Sequence, residues 1–87
     1  MNLMNIEQAN RISLVELMTE LGFNPVKVNK ANVYYQSPFY KDNQASFRVN
    51  RVNNVWFDKG LSKGGDVVFF GRLYHRTSNI KRVLDEF

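Results

Sequence analysis

The chain has no cysteine and a single histidine in its 87 residues. Disulfides and thiolate metal sites are therefore excluded, and His75 cannot hold a metal by itself. Domains this small often lean on such a staple, so the core must close through packing. No apolar run approaches the ~20 residues of a membrane span. The first ten residues lack the basic start and apolar run of a secretory signal, so a cytoplasmic protein is the default expectation. Acids are also scarce through the middle, where only Asp42, Asp58 and Asp66 occur between residues 27 and 82. Nothing pairs them as acid and base, and no Ser-His-Asp or Cys-His order is evident, so no catalytic site and no cofactor are expected.

What is present points to a packed fold. The aromatic share is 14%, enough to fill a core, and no repeat, linker or low-complexity tract interrupts the chain. One domain over residues 1–87 follows. Residues 27–82 hold eleven of the twelve Lys and Arg against three acids, a net +8, while residues 1–26 and 83–87 each carry −2. Such asymmetry favours a polyanionic partner, and the alternative is a solvated basic surface without one.

Local patterns give an α+β order. Ser13 with Glu16 three residues later fits a capping box, and Ile12 and Leu17 fit its hydrophobic staple. Leu14, Leu17, Met18 and Leu21 then recur at helical spacing, with Gly22 at a C-cap position, so a helix is predicted over residues 13–21. A helical turn is expected before it, over residues 6–10. Residues 26–36 alternate weakly and end in a predicted strand, Val33-Tyr34-Tyr35-Gln36. Ser46-Phe47-Arg48-Val49-Asn50 alternates like a half-buried strand, residues 51–54 form a turn, and Val55-Trp56-Phe57-Asp58 returns. Phe47 and Val49 should share a face, as should Val55 and Phe57, with Phe47 and Phe57 in the core. Arg48 and Trp56 then fall on the other face. There Trp56 either packs under a terminal helix or stacks on a base. Residues 61–65 read as a flexible loop, Asp66 caps a helix over residues 67–75, and Thr77 or Ser78 opens a last one. The class is α+β, a small antiparallel sheet or hairpin between an N-terminal helix and two C-terminal helices.

Residues 37–70 carry a family resemblance. The stretch SPFYKDNQASFRVNRVNNVWFDKGLSKGGDVVFF resembles the zinc-ribbon domain that opens bacterial DnaG-type DNA primases. That family shows a Cys-Pro-x-His turn, a Pro-Ser-Phe strand, a Cys-x-x-Cys knuckle and a Gly-Asp that starts a helix. On this chain the four ligand positions fall on Ser37, Tyr40, Asp58 and Leu61. The strand element falls on Ala45-Ser46-Phe47 and the helix start on Gly65-Asp66. The flanks resemble the family's first and last helices, so nearly the whole chain is covered. Ser, Tyr, Asp and Leu cannot supply the tetrahedral set that structural zinc wants. The resemblance thus implies a metal-free variant, similar to domains placed before a toprim-type primase module in mobile-element proteins. It also implies that the chain is the N-terminal part of a longer protein.

The resemblance and the charge together suggest a non-catalytic DNA-binding module that presents single-stranded template to a downstream catalytic domain. The alternative is a protein-interaction module that has lost DNA binding with its zinc. The candidate nucleic-acid-binding residues are Lys41, Arg48, Arg51, Trp56, Lys59 and Lys63. The glycines of residues 60–65 either cradle a phosphate beside Lys63 or supply positive φ before the Asp66 cap. Tyr34, Tyr35, Phe39 and Tyr40 cluster near the replaced ligand positions and are expected to fill the metal's space. The closed core is expected to include Phe39, Tyr40, Phe47, Phe57 and Leu61. Arg72 and Arg76 share a helix face, and His75 is expected at the surface. Thermal melts with and without a chelator should overlay. A chelator-induced loss of several degrees, or stoichiometric zinc by elemental analysis, contradicts metal-free folding.

Overall fold

The computed structural model describes the backbone of residues 6–85 and the side chains of residues 7–76. Two short helices, α1 (Ile6–Ala9) and α2 (Leu14–Glu20), precede a five-stranded sheet, and a long helix follows it. The strands are β1 (Lys27–Asn29), β2 (Asn32–Tyr35), β3 (Phe47–Asn50), β4 (Val55–Asp58) and β5 (Lys63–Gly65). They pair antiparallel in sequence order, a simple meander. Helix α3 (Val67–Asp85) runs without a break.

Ser13 caps α2 as its sequence suggests, its hydroxyl accepting from the Glu16 N–H at 3.2 Å. Gly22 follows the helix at φ +92°, the left-handed residue that closes it. Asn54, itself at φ 56°, ties the β3–β4 turn to this helix. Its amide oxygen accepts from the Leu14 N–H at 2.9 Å, and its NH₂ donates to the carbonyls of Asn10 and Ile12 at 3.1 and 2.7 Å. One side chain thus satisfies backbone groups at the entry to α2 and fixes the N-terminal segment on the sheet.

The core lies between the inner face of the sheet, α2 and α3. Leu14 and Met18 of α2, Val33, Tyr35, Phe47, Val49 and Trp56 of the sheet, and Val67 and Phe70 of α3 are buried in it. Phe39 joins them from the β2–β3 loop. Phe47 and Trp56 stack at 5.4 Å between ring centroids, and Phe39 and Phe70 contact both. The Trp56 indole N–H donates to the Asp66 carbonyl at 3.0 Å, so even the polar end of this ring is satisfied indoors.

Four sequence expectations change here. The β4 parity is inverted: Val49 stands opposite Trp56 and Arg48 opposite Phe57. Trp56 is therefore inside at 2% exposure, and Phe57 is outside at 42%. Residues 26–36 make two strands around a turn at Lys30, not one. The glycine-rich residues 63–65 form the edge strand β5 rather than a flexible loop. Residues 67–85 form one helix, because Thr77 and Ser78 lower helix propensity only slightly and do not stop it. The side chains of residues 77–87, including any cap at Thr77 or Ser78, lie outside the described residues.

Phe47→Ala should lose roughly 3–5 kcal/mol, comparable with the stability of a domain this size. Phe57→Ala should cost about 1 kcal/mol or less, as a surface change does. Circular dichroism melts separate the two. A folded Phe47→Ala beside an unfolded Phe57→Ala contradicts the observed pleat.

Candidate nucleic-acid interface

The outer face of the sheet is sorted by strand pairing alone. Lys27 stands opposite Tyr34, Tyr34 opposite Arg48, Arg48 opposite Phe57, and Phe57 opposite Gly64. A single row across the five strands therefore reads cation, aromatic, cation, aromatic, glycine. Neighbouring strands lie about 4.8 Å apart, so the strands that carry the two rings are about 9.6 Å apart with Arg48 between them. One pleat along, toward the hairpin turns, the next row reads Asn29, Asn32, Asn50 and Val55. Neither row contains an acid.

The glycines act through close approach rather than backbone freedom. A Cβ on Gly64 would stand 2.5 Å from the Trp56 carbonyl oxygen and 2.9 Å from Cδ2 of Phe57. The bare Cα lets β5 pair with β4 and gives the Phe57 ring a seat. Gly65 gives Phe69 room in the same way, a Cβ there falling 2.8 Å from Cδ2 of that ring. The left-handed residue of this segment is Ser62, at φ 54°.

Beside the row a shallow pocket of about 230 Å³ is lined by Tyr34, Ala45, Ser46, Arg48, Phe57 and Lys59. Its loop wall is held by Asp42. The carboxylate accepts from the N–H groups of Ser37, Gln44 and Ser46 at 2.9, 2.9 and 2.6 Å, and from the Ser46 hydroxyl at 3.1 Å. These bonds hold Ala45 in the left-handed region, at φ 53°, a conformation a residue with a Cβ seldom adopts. Burial pushes the Asp42 carboxyl upward, but the Ser46, Gln44 and Ser37 N–H donors and the Ser46 hydroxyl outweigh it, and its pKa is lowered.

Of the residues expected to touch nucleic acid, Arg48 and Lys59 come together in this pocket. Lys41 is exposed in the β2–β3 loop. Arg51 sits at the far end of the sheet, where its guanidinium donates to the Lys30 carbonyl and joins the two hairpin turns. Lys63 is paired with the inward-facing Asp58, so the pleat turns it away from Arg48. Trp56 is buried and offers no ring to a base. Lys27, Tyr34 and Phe57 take its place on the outer face. Nor is the start of α3 open to a phosphate. The Asp66 carboxylate accepts from the Phe69 N–H at 2.9 Å, and the Asn10 amide oxygen accepts from Val68 N–H at 3.2 Å. His75, Arg72 and Arg76 are exposed on α3.

Tyr40, Asp58 and Leu61, three of the four positions expected from the sequence to stand in for zinc ligands, meet at one corner. The Tyr40 hydroxyl and the Leu61 N–H both donate to Oδ1 of Asp58, at 2.8 and 3.0 Å. Asp58 is fully buried, and its Oδ2 has no hydrogen-bond partner among the described residues. Burial and then the bond to Asp58 raise the Tyr40 pKa. Ser37 joins the neighbouring Asp42 cluster, and its hydroxyl accepts from the Phe39 N–H at 3.1 Å. A side chain at Gly60 would collide with the Tyr40 hydroxyl, so this corner also depends on a glycine. Of the four clustered aromatics, Tyr35 and Phe39 are buried and Tyr40 half-buried near this corner, whereas Tyr34 faces outward. Among the described residues no group of three or more His, Cys, Asp or Glu could hold a metal ion, and no helix is long and apolar enough to cross a membrane. No family model, curated protein or solved structure matches the chain.

Because the folded pKa of Asp42 lies below the unfolded value, its stabilisation is complete above the ordinary carboxylate range and is lost as pH falls through the folded value. Asp42→Asn should cost about 2 kcal/mol at neutral pH, the worth of hydrogen bonds to a charged acceptor. Melts between pH 7 and pH 3, in steps of about one unit around the free carboxylate value, should show a shallower acid loss for the variant. Equal stability of the two proteins at pH 7 contradicts this role.

Proposed function

We propose that this domain binds single-stranded DNA on the outer face of its sheet. The observation that carries the reading is the row Lys27, Tyr34, Arg48 and Phe57, an alternation of cations and rings on one exposed surface. Rings stack on bases of any identity, and cations between them follow the phosphates. Lys59 adds a further positive charge beside the pocket. Duplex recognition is not favoured, because α3 begins with its amides already capped and so offers no uncommitted N-terminal end to a groove.

The wider role follows from the resemblance. A zinc-ribbon-like module of a primase-like replication protein would present template to a downstream toprim-type catalytic domain. Two features support that assignment. Tyr40, Asp58 and Leu61, which the resemblance aligns with zinc-ligand positions, are joined by hydrogen bonds. The exposed aromatic and basic sheet face also suits a flexible single strand. A protein-interaction role is the second reading, favoured by Val26, Val28 and Val52, which are exposed at the β1 edge and the β3–β4 turn. Lys27 and Lys30 on that edge oppose pairing with another strand.

Fluorescence anisotropy with labelled oligonucleotides over a salt series tests the proposal. A few phosphate contacts imply a Kd on the order of 10⁻⁴–10⁻⁶ M. Arg48→Ala should weaken binding and flatten the salt slope by about 0.7, one contact on a single strand. Phe57→Ala should cost roughly 1–3 kcal/mol and leave that slope unchanged. A folded domain that binds no DNA at low salt and high protein concentration removes this reading and favours protein interaction.

A further inference from the structure

The second row of the outer face is out of character for a sheet. Asn29, Asn32 and Asn50 stand side by side on β1, β2 and β3, with Val55 closing the row on β4. Asparagine is among the residues depleted in strands, because its amide competes for backbone bonds. Where an asparagine sits beside a turn, that competition normally supplies its reason for being there. Asn50 has such a reason. Its Oδ1 accepts from the N–H groups of Val52 and Asn53, both at 3.0 Å, and so shapes the β3–β4 turn. Asn29 and Asn32 flank the other turn, yet neither side chain makes a hydrogen bond among the described residues. Asn32 is half-buried between Asn29 and Asn50. Two amides thus break the local preference of the strand with no side-chain bond among the described residues to compensate, which is where a functional constraint is to be sought.

Their position supplies the constraint. Asn32 and Tyr34 lie on the same strand and the same face, two residues and therefore about 6.7 Å apart. Asn29 stands in the same relation to Lys27. A base lying on the Tyr34 ring has its polar edge within reach of the Asn32 amide, and Asn29 flanks it. A carboxamide offers one donor and one acceptor side by side, the complement of the paired donor and acceptor on a base edge.

The geometry points to Asn32, assisted by Asn29, as the group that reads the edge of the base stacked on Tyr34. On this account binding depends on base identity at one position while the cation row holds the backbone. The inference rests on the proposed single-strand surface and goes beyond it, since stacking and phosphate contacts alone tolerate any sequence. Phe57, whose row neighbour one pleat along is Val55, faces no amide on its own strand. The base stacked there is unread, and selectivity is confined to the Tyr34 side.

The test uses anisotropy with labelled oligo-dT, oligo-dA and oligo-dC of equal length at one low salt concentration. The wild-type domain should separate its best from its worst oligonucleotide by about fivefold, the low end of what one bidentate amide–base pair discriminates. Asn32→Ala should compress that spread to within about twofold with an unchanged salt slope, and Asn29→Ala should reduce it in part. Arg48→Ala should weaken all three alike. Amide signals of Val33 and Val49 in a proton–nitrogen spectrum confirm that each variant is folded. An unchanged ranking in folded Asn32→Ala, or a wild-type domain that binds all three equally, overturns base reading and leaves the single-strand surface standing. A wild-type domain that binds none of them overturns both.

Discussion

Trp56 is the side chain around which the two faces of the sheet are sorted. Its ring stacks on Phe47 at 5.4 Å and on Phe69 at 5.6 Å, and its N–H donates to the carbonyl at the start of α3. That single placement joins β4, β3 and the long helix. Since successive side chains on a strand alternate between faces, it also sends Phe57 outward and, through pairing, aligns Phe57 with Arg48, Tyr34 and Lys27. A one-residue slip of β4 would bury Phe57, expose Trp56 and dismantle the outer row at the same stroke. Core and surface are therefore two consequences of one register.

Short polar side chains tie the loops and helix ends to one another, as disulfides do in other domains of this size. Asp42 gathers four donors and closes the β2–β3 loop. Asn54 fastens the β3–β4 turn to the start of α2, and Asn10 and Asp66 fasten α1 to the start of α3. Asp58 gathers Tyr40 and Leu61 at the corner opposite. Each of these groups satisfies backbone or buried polar atoms that would otherwise be expensive to desolvate. Not every group is matched. The Tyr35 hydroxyl and Oδ2 of Asp58 stay unpartnered among the described residues, a cost borne by the aromatic packing around them.

Much of this was legible in the sequence, and the failures have identifiable causes. The α2 helix was marked by Ser13, Glu16 and Gly22, each a residue with a specific bond or dihedral to supply. Strand β3 was marked by strict alternation, and the α+β class by the order of such signals. The parity of β4 was not legible from its own pattern, because Val55, Trp56 and Phe57 form a continuous apolar run without alternation. The turn length held the answer. If residues 51–54 form the loop, Asn50 must face Val55, and counting back sets Val49 against Trp56. Strand β5 was hidden because two of its three residues are glycines, which score poorly as strand formers, yet Gly64 is needed for close pairing with β4 and Gly65 makes room for Phe69. The basic residues were found by charge, but which of them share a face depends on pairing. That is why Arg48 and Lys59 converge while Lys63 and Arg51 go elsewhere.

Function on this account resides in a surface that has no acid to repel a phosphate and two rings free to receive bases. The arrangement asks nothing of the core except that it hold the register, and it leaves the exposed arginines of α3 outside the contact. Chemical-shift mapping with a short single strand tests the location most directly. On addition of a decamer of dT, the account predicts perturbations concentrated at Lys27, Tyr34, Arg48, Phe57 and Lys59, with the Trp56 indole signal retaining its buried, hydrogen-bonded position. Perturbations centred on Arg72 and Arg76 of α3, with the outer sheet face silent, would contradict it.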